Sequence, residues 1–282
     1  MTVGVVLCEG VHDISFISKI LCANGCDEYK VKINDFPYPI GEQIKNNHAR
    51  DAIGEKIIGN GPDSAYVPKA VYTDGNKLIL FHNMNGDGDT NARYDLIEQY
   101  RKNRIALEFK NPDHITAFEF YLFYDADELG VDGRLTWIEK EFLNKCQLTV
   151  GKLRQAEKVS ISDITIGTFV FYNPEDPEKK GTLEDQILLL IRKENGGLLD
   201  RAEAFLQENA LESDRTKEYD PKQDKYTGGK KYKPKKSRIS IAGQLQFSGM
   251  NNSVIILKSD YIKRQLILQD AECKKIAQLI LS

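Results

Sequence analysis

The chain has 282 residues, 41% of them hydrophobic and 29% charged, with a formal net charge of −3. That length can bury a substantial core, in one large domain or two small ones, without covalent staples. The charge balance excludes a generally basic nucleic-acid-coating protein and an acidic disordered one, so overall charge selects no partner.

The opening residues MTVGVVLCEG have neither a basic stretch nor an apolar stretch long enough for export, and the five cysteines form an odd set without paired spacing. Both features set the expectation of a cytoplasmic protein with reduced thiols. No window reaches the roughly 18 apolar residues that a membrane span requires. Cys22 and Cys26 suggest half a zinc site, yet no second pair accompanies them.

VGVVLCEG is a short apolar run closed by an acid and a glycine, and Ile14, Ile17, Ile20 and Leu21 then repeat at helical spacing up to Gly25. The pattern predicts strand, turn and helix. Residues 34–75 hold most of the punctuation in the first half and read as an irregular insertion ending in a β-hairpin, whose signal is Asp74-Gly75. The second arm of that hairpin, KLILFH, supplies the next strand, and TNARYDLIEQYRKNRI reads as a helix. ITAFEFYLFYDAD is a third strand, RLTWIEKEFLNKC a helix, ITIGTFVFYN a fourth strand and TLEDQILLLIRKEN another helix. Alternation of this kind predicts an α/β core over residues 1–195, with a central, mainly parallel sheet flanked by helices.

Residues 196–282 read as a C-terminal extension packed on that core. Its polar part ends in a basic loop at 225–238, with Lys225, Lys230, Lys231, Lys233, Lys235, Lys236 and Arg238 interspersed with Tyr226 and Tyr232. Such a tract suits sequence-independent phosphate contact, and equally a solvated loop. ISIAGQLQFSGMNNSVIIL then reads as a strand or hairpin, and SDYIKRQLILQDAECKKIAQLIL as one amphipathic helix capped by Ser259.

The acids fall where an α/β sheet does its chemistry, because ligands bind at the carboxyl ends of parallel strands. Glu9 ends the first strand, and Gly10 allows a tight turn that brings Asp13 into the first turn of the next helix. Asp125 and Asp127 end the third strand two residues apart, so alternation sends both to one side. Glu184 opens a later helix behind Thr182, a residue suited to capping it. Singly, Asp13 and Glu184 fit helix N-terminal acids and the Asp pair fits a turn. Together they concentrate charge: two carboxylates about 4 Å apart repel by roughly 4 kcal/mol at an effective dielectric of 20. Such a cluster protonates or binds cations, and Mg²⁺ or Mn²⁺, as one or two ions, suits oxygen ligands and a phosphodiester substrate.

At these residues the chain resembles the toprim domain, the catalytic fold shared by type IA and type II topoisomerases, bacterial primases and the overcoming-lysogenisation-defect (OLD) nucleases. VVLCEGVHD resembles its strand followed by Glu-Gly-x-x-Asp, and LFYDADELG its Asp-x-Asp strand end. GTLEDQ resembles the Leu-Glu after the last core strand in the OLD nucleases and in related uncharacterised bacterial proteins. The resemblance covers residues 1–195 and implies a Rossmannoid core with Mg²⁺-dependent phosphodiester cleavage or transfer on DNA or RNA. It implies Glu9 as metal ligand or general acid/base, Asp125, Asp127 and Glu184 as metal ligands, and Asp13 as a further ligand. KPKKSRISIAGQ resembles the family's downstream lysine segment and implies Lys236 as the residue offsetting transition-state charge. No phosphate-loop ATPase signature, topoisomerase tyrosine module or primase zinc domain is present, which leaves a small stand-alone toprim protein. A non-catalytic module that binds nucleotide, nucleic acid or protein is the alternative expectation.

NMNGDGDTNARY places Asn83, Asn85, Asp87 and Gly88 at positions resembling a calcium loop, but Tyr94 stands where that loop needs a bidentate glutamate. A glycine-rich turn beside the acids, with amides able to approach phosphate, is the better reading. His12 reads as a surface or supporting residue, and His48, His82 and His114 show no partner in the sequence.

Overall fold

A computed structural model of the chain describes residues 1–47, 54–58, 64–86, 90–110, 115, 117–161, 164–209, 217–227 and 233–282. It divides into two compact units, residues 1–183 with 263–282, and residues 184–262.

The first unit is built on a seven-stranded sheet. Its strands are β1 (Thr2–Cys8), β2 (Asp27–Glu28), β3 (Ala70–Thr73), β4 (Lys77–Asn83), β5 (Ala117–Asp125), β6 (Glu157–Ile161) and β7 (Ile164–Phe171), in the order β2-β3-β4-β1-β5-β7-β6. The four inner strands β4, β1, β5 and β7 are parallel, while β3 and β6 pair antiparallel on either side. Near-continuous apolar runs form these inner strands because both faces are covered: every residue of β4 and all but the first of β1 are buried.

Alternation along β5 separates two cores. Phe118, Phe120, Leu122 and Tyr124 face α3 (Thr90–Lys110) and α4 (Gly130–Cys146), where Tyr100 packs on Phe118 and Phe120, and Tyr94 packs on Phe142. Tyr121 and Phe123 face the other way, toward α1 (Val11–Ala23) and the terminal helix α9 (Ala271–Leu281), which follows α8 (Arg264–Gln269). This arrangement is a mixed α/β, Rossmann-like fold, as the sequence pattern indicates.

Among the described residues, the insertion, with Ile33 just before it, is more regular than its punctuation implies. It holds a 3₁₀ turn at Ile33–Asp35 and a helix, α2 (Ile40–Asn46), and it buries Ile33, Phe36, Ile40, Ile44 and Val67 in the core facing α3. The Asp74-Gly75 hairpin forms as expected between β3 and β4, with Asp74 Oδ1 accepting from the amides of Asn76 and Lys77.

The second unit contains most of α5 (Leu183–Glu208), a two-stranded ribbon of β8 (Glu218–Asp220) and β9 (Lys225–Thr227), α6 (Pro234–Gln244) and α7 (Asn252–Lys258). Between residue 225 and the C-terminal residue of the sequence, three expectations are corrected. ISIAGQLQFSGMNNSVIIL is two helices, not a strand or hairpin: α6 starts on Pro234, α7 is capped by Asn251 accepting from Val254 N at 3.0 Å, and Gly243 lets Ile255 pack against α6. The terminal amphipathic segment is two helices, because Asp270 breaks it and caps α9 by accepting from the amides of Glu272 and Cys273. Ser259 therefore ends α7 instead of opening a long helix. The basic loop is in part β9 and in part the start of α6, while Lys230, Lys231 and Tyr232 lie outside the described residues.

Candidate functional site

Parallel pairing of β1 with β4 and β5 brings their carboxyl ends together at one edge. Glu9, one residue past β1, is half-buried, and its Oε1 accepts from the backbone amide of Asp125, the last residue of β5, at 3.2 Å. Asp125 Oδ1 in turn accepts from the amide of Leu183 at 2.8 Å. The backbone of Glu9 is also engaged, since its carbonyl accepts from Gly86 N at 2.7 Å. That bond seats the turn after β4, where Asn85 and Gly86 both adopt positive φ and the Asn83 and Asn85 side chains hydrogen-bond each other. Asp87, Gly88 and Asp89, the rest of the glycine-rich turn, lie outside the described residues, as do His48 and His114.

Asp13 is buried in the first turn of α1, and its Oδ2 accepts from Gly10 N at 2.5 Å, so it serves the helix N-terminus as well as the acidic cluster. Strand alternation does not align Asp127 with Asp125. β5 stops at Asp125, and Asp127 has φ 46, exchanges backbone hydrogen bonds with Gly181, and accepts from Arg134 Nη2 at 2.7 Å. Its carboxylate thus has a protein cation of its own.

Glu184 and Lys236 belong to the second unit. Lys236 lies on α6 and its Nζ is 3.3 Å from Glu184 Oε1, beside a second pair, Lys235 to Asp185, at 2.6 Å. Two residues nominated from separate segments of sequence therefore meet. Among the described residues, no group of three or more His, Cys, Asp or Glu is arranged to hold a metal ion. The oxygen donors of Glu9 and Asp125 nonetheless fit Mg²⁺ or Mn²⁺ chemistry, since Mg²⁺ is commonly held by one or two carboxylates, with water and substrate phosphate completing its shell.

Two arginines escape sequence inspection. Arg93, on the first turn of α3, is 1% exposed and lies 3.9 Å over the ring of Tyr124; Arg134, on α4, is also buried and lies against Tyr124 and Trp137. The signal for Arg93 is its place on the apolar stripe of α3, in helical register with Leu96, Ile97 and Tyr100. Arg93 acts electrostatically on the strand ends. Burial pushes the Cys8 thiol well up, Asp13 and Glu9 push it the same way, and Arg93 pulls against them. Burial likewise raises the Tyr124 phenol, again opposed by Arg93.

The five cysteines are free thiols, and among the described residues no helix is long and apolar enough to cross a membrane. The mainly parallel, Rossmann-like sheet defines the class of protein at the level of architecture, and comparison with known proteins agrees at that level. The chain is similar to the crystal structure of a hypothetical protein from Pyrococcus horikoshii OT3, with a TM-score of 0.55 and 18% identity, over 100% of this chain and 96% of that one. At that identity the likeness is one of fold. No protein-family profile and no curated protein matches the sequence.

Proposed function

We propose that the protein is a toprim-type, Mg²⁺- or Mn²⁺-dependent enzyme of the cytoplasm that cuts or transfers phosphodiester bonds in DNA or RNA. The observation that carries this reading is the meeting of Glu9 and Asp125 at the carboxyl edge of two adjacent parallel strands. Glu9 and Asp125 hold the ion in this proposal, with Asp13 shaping the turn between β1 and α1. When bound, the ion supplies positive charge against the negative charge that develops on the phosphoryl group. Glu184 and Lys236 enter through the sequence resemblance, with the lysine offsetting transition-state charge. The lysines of segment 225–238 give the polyanion sequence-independent contacts.

The purified protein with Mg²⁺ or Mn²⁺ is expected to nick or degrade DNA or RNA, and Asp125→Asn to abolish this. Absence of metal binding in a calorimetric titration would sink the proposal. A second reading, a module that binds phosphate-bearing ligands without cutting them, is favoured by the protein donors on Asp13, Asp125 and Asp127. Under it, Glu9→Ala leaves ligand binding intact and no cleavage is seen with either ion.

A further inference from the structure

Helices α2 and α3 carry polar residues at matching spacing: Gln43, Asn46 and Asn47 on or directly after the one, Gln99, Lys102 and Asn103 on the other. Residues at i, i+3 and i+4 share one helix face, so each helix presents a polar stripe. The two stripes line a single cavity of about 310 Å³, with Tyr38, which lies just before α2, in its wall. Asn103 Nδ2 donates to Gln43 Oε1 and so ties the two helices together. Gln43 is 8% exposed, and its own Nε2 donor has no partner among the described residues. A buried amide donor left unpaired is costly, and the soft terminal torsion of a glutamine lets that donor turn toward a ligand in the cavity. Solvated helix faces ordinarily carry charges. Here five of the six stripe residues are carboxamides, and they enclose a space instead of closing on one another.

We propose that this cavity between α2 and α3 is a nucleotide-binding site that reads an adenine base through its carboxamides. A carboxamide sets a donor beside an acceptor, which pairs with the N6 and N7 edge of adenine. Tyr38 is an exposed aromatic residue in the wall, and bases stack on aromatic faces. The charges suit a phosphate. Glu42, also in the lining, is met by Lys45 at 2.5 Å, whereas Lys102 has no ion-pair partner among the described residues, so an unmatched positive charge stands at the cavity. A neutral sugar would engage the amides and leave that charge unused. The volume falls at the lower end of the roughly 300–1,000 Å³ typical of small-ligand sites. A free mononucleotide and an unpaired nucleotide of a strand share this chemistry. The site stands on its own lining, which includes none of the strand-end acids, and does not depend on the cleavage proposed above.

The test is calorimetric titration of the full chain in EDTA with adenosine monophosphate, with a short oligoadenylate as the strand-borne form, and with ribose 5-phosphate as a ligand that lacks the base. Both adenine ligands are expected to bind and ribose 5-phosphate not to; whichever adenine ligand binds more tightly identifies the source. Gln43→Met removes the buried amide at similar volume and is expected to raise the adenosine monophosphate Kd at least about tenfold. Should that variant fail to fold, Gln99→Ala, at a half-buried position, is expected to act in the same direction. Lys102→Gln is expected to raise the Kd and to weaken its dependence on salt. No binding of either adenine ligand, equal binding of ribose 5-phosphate, or an unchanged Kd in the Gln43 and Gln99 variants would overturn the site. Because EDTA removes divalent ions, such a result leaves the metal proposal standing, and Mn²⁺ titration of the same variants judges that proposal separately.

Discussion

Glu9 and Asp125 are joined through the main chain: the Glu9 carboxylate accepts from the Asp125 amide at 3.2 Å, one strand over. Asp125 is itself fixed by the amide of Leu183. Each acid is thus oriented by a backbone donor, which holds a carboxylate in place without cancelling its charge.

Glu9→Gln tests the consequence. The amide retains an oxygen for the Asp125 N–H and loses the negative charge, so stability is expected to change by less than about 1 kcal/mol. Mn²⁺ affinity is expected to fall at least about tenfold, equivalent to 1.4 kcal/mol. Thermal unfolding and calorimetric titration of the same sample check both; unchanged Mn²⁺ affinity would remove Glu9 from any metal site.

Asp127 is expected to behave differently from Asp125, because Arg134 holds it. Arg134 is 5% exposed in its side chain and Asp127 49%, so the pair is half in solvent and screened on one side. Asp127→Ala is expected to cost about 1–2 kcal/mol, less than a wholly buried pair, and Arg134→Met in the same chain to recover part of it. Denaturant unfolding of the single and double variants measures the coupling. A variant as stable as wild type that nevertheless loses Mn²⁺ would return Asp127 to the role of metal ligand.

The parallel strands themselves were legible because β1, β4, β5 and β7 are buried on both faces and carry continuous apolar runs, whereas their order within the sheet is set by pairings that no local pattern states. The edge strand β6 was not, since EKVSI is short and only partly buried. In the second unit, Ile239 and Ile241 in α6 and the apolar run of α7 imitate a strand, and only the proline and asparagine at the helix starts argue otherwise. Strand-end acids could be found from sequence; their partners could not. Nothing local in DADELGVDGR says that Asp127 turns into a left-handed conformation and meets Arg134, or that Arg93 stacks on Tyr124 from another element.

Gly167 provides a stability test remote from the acids. Tyr121 lies on the sheet face toward α9, and its ring fits because the neighbouring strands carry Gly4 and Gly167 beside it. A Cβ on Gly167 would stand 2.8 Å from the Tyr121 ring and 2.9 Å from Leu279, whereas one on Gly4 would meet the ring at 3.0 Å. The ring has little room to yield, because its hydroxyl bonds Glu119 and the Ile280 carbonyl. Gly167→Ala is expected to destabilise by about 1–3 kcal/mol, the usual cost of overpacking a core. Gly197→Ala, in α5 with no atom within 4 Å of the added methyl, is expected to be neutral or stabilising by up to about 1 kcal/mol. Denaturant midpoints compare the two; equal effects would show that the Tyr121 layer repacks freely.

His82 gives the protein a pH dependence whose sign can be worked out. The side chain is fully buried on β4, with Nδ1 2.8 Å from the Ala65 carbonyl and Nε2 3.1 Å from the Tyr100 hydroxyl. A carbonyl only accepts, so Nδ1 carries the proton, and in the neutral ring Nε2 accepts from the Tyr100 hydroxyl. Burial lowers its pKa from 6.5 to about 4, against a smaller opposing effect of the Ala65 carbonyl. Between those values the unfolded chain holds a proton that the folded chain refuses, so stability rises with pH by about 1.4 kcal/mol per unit. Over the difference of 6.5 − 4 = 2.5 units, the contribution amounts to about 3 kcal/mol, fully present above pH 6.5 and lost as pH falls toward 4. Carboxylates titrate near the lower end of this window, so the measurement is a difference. Denaturant unfolding of the wild type and of His82→Gln, taken from pH 7 to pH 4, is expected to show a steeper loss in the wild type, beginning near pH 6.5. Parallel curves would mean that His82 accepts its proton in the folded state and that the Tyr100 contact does not depend on a neutral ring.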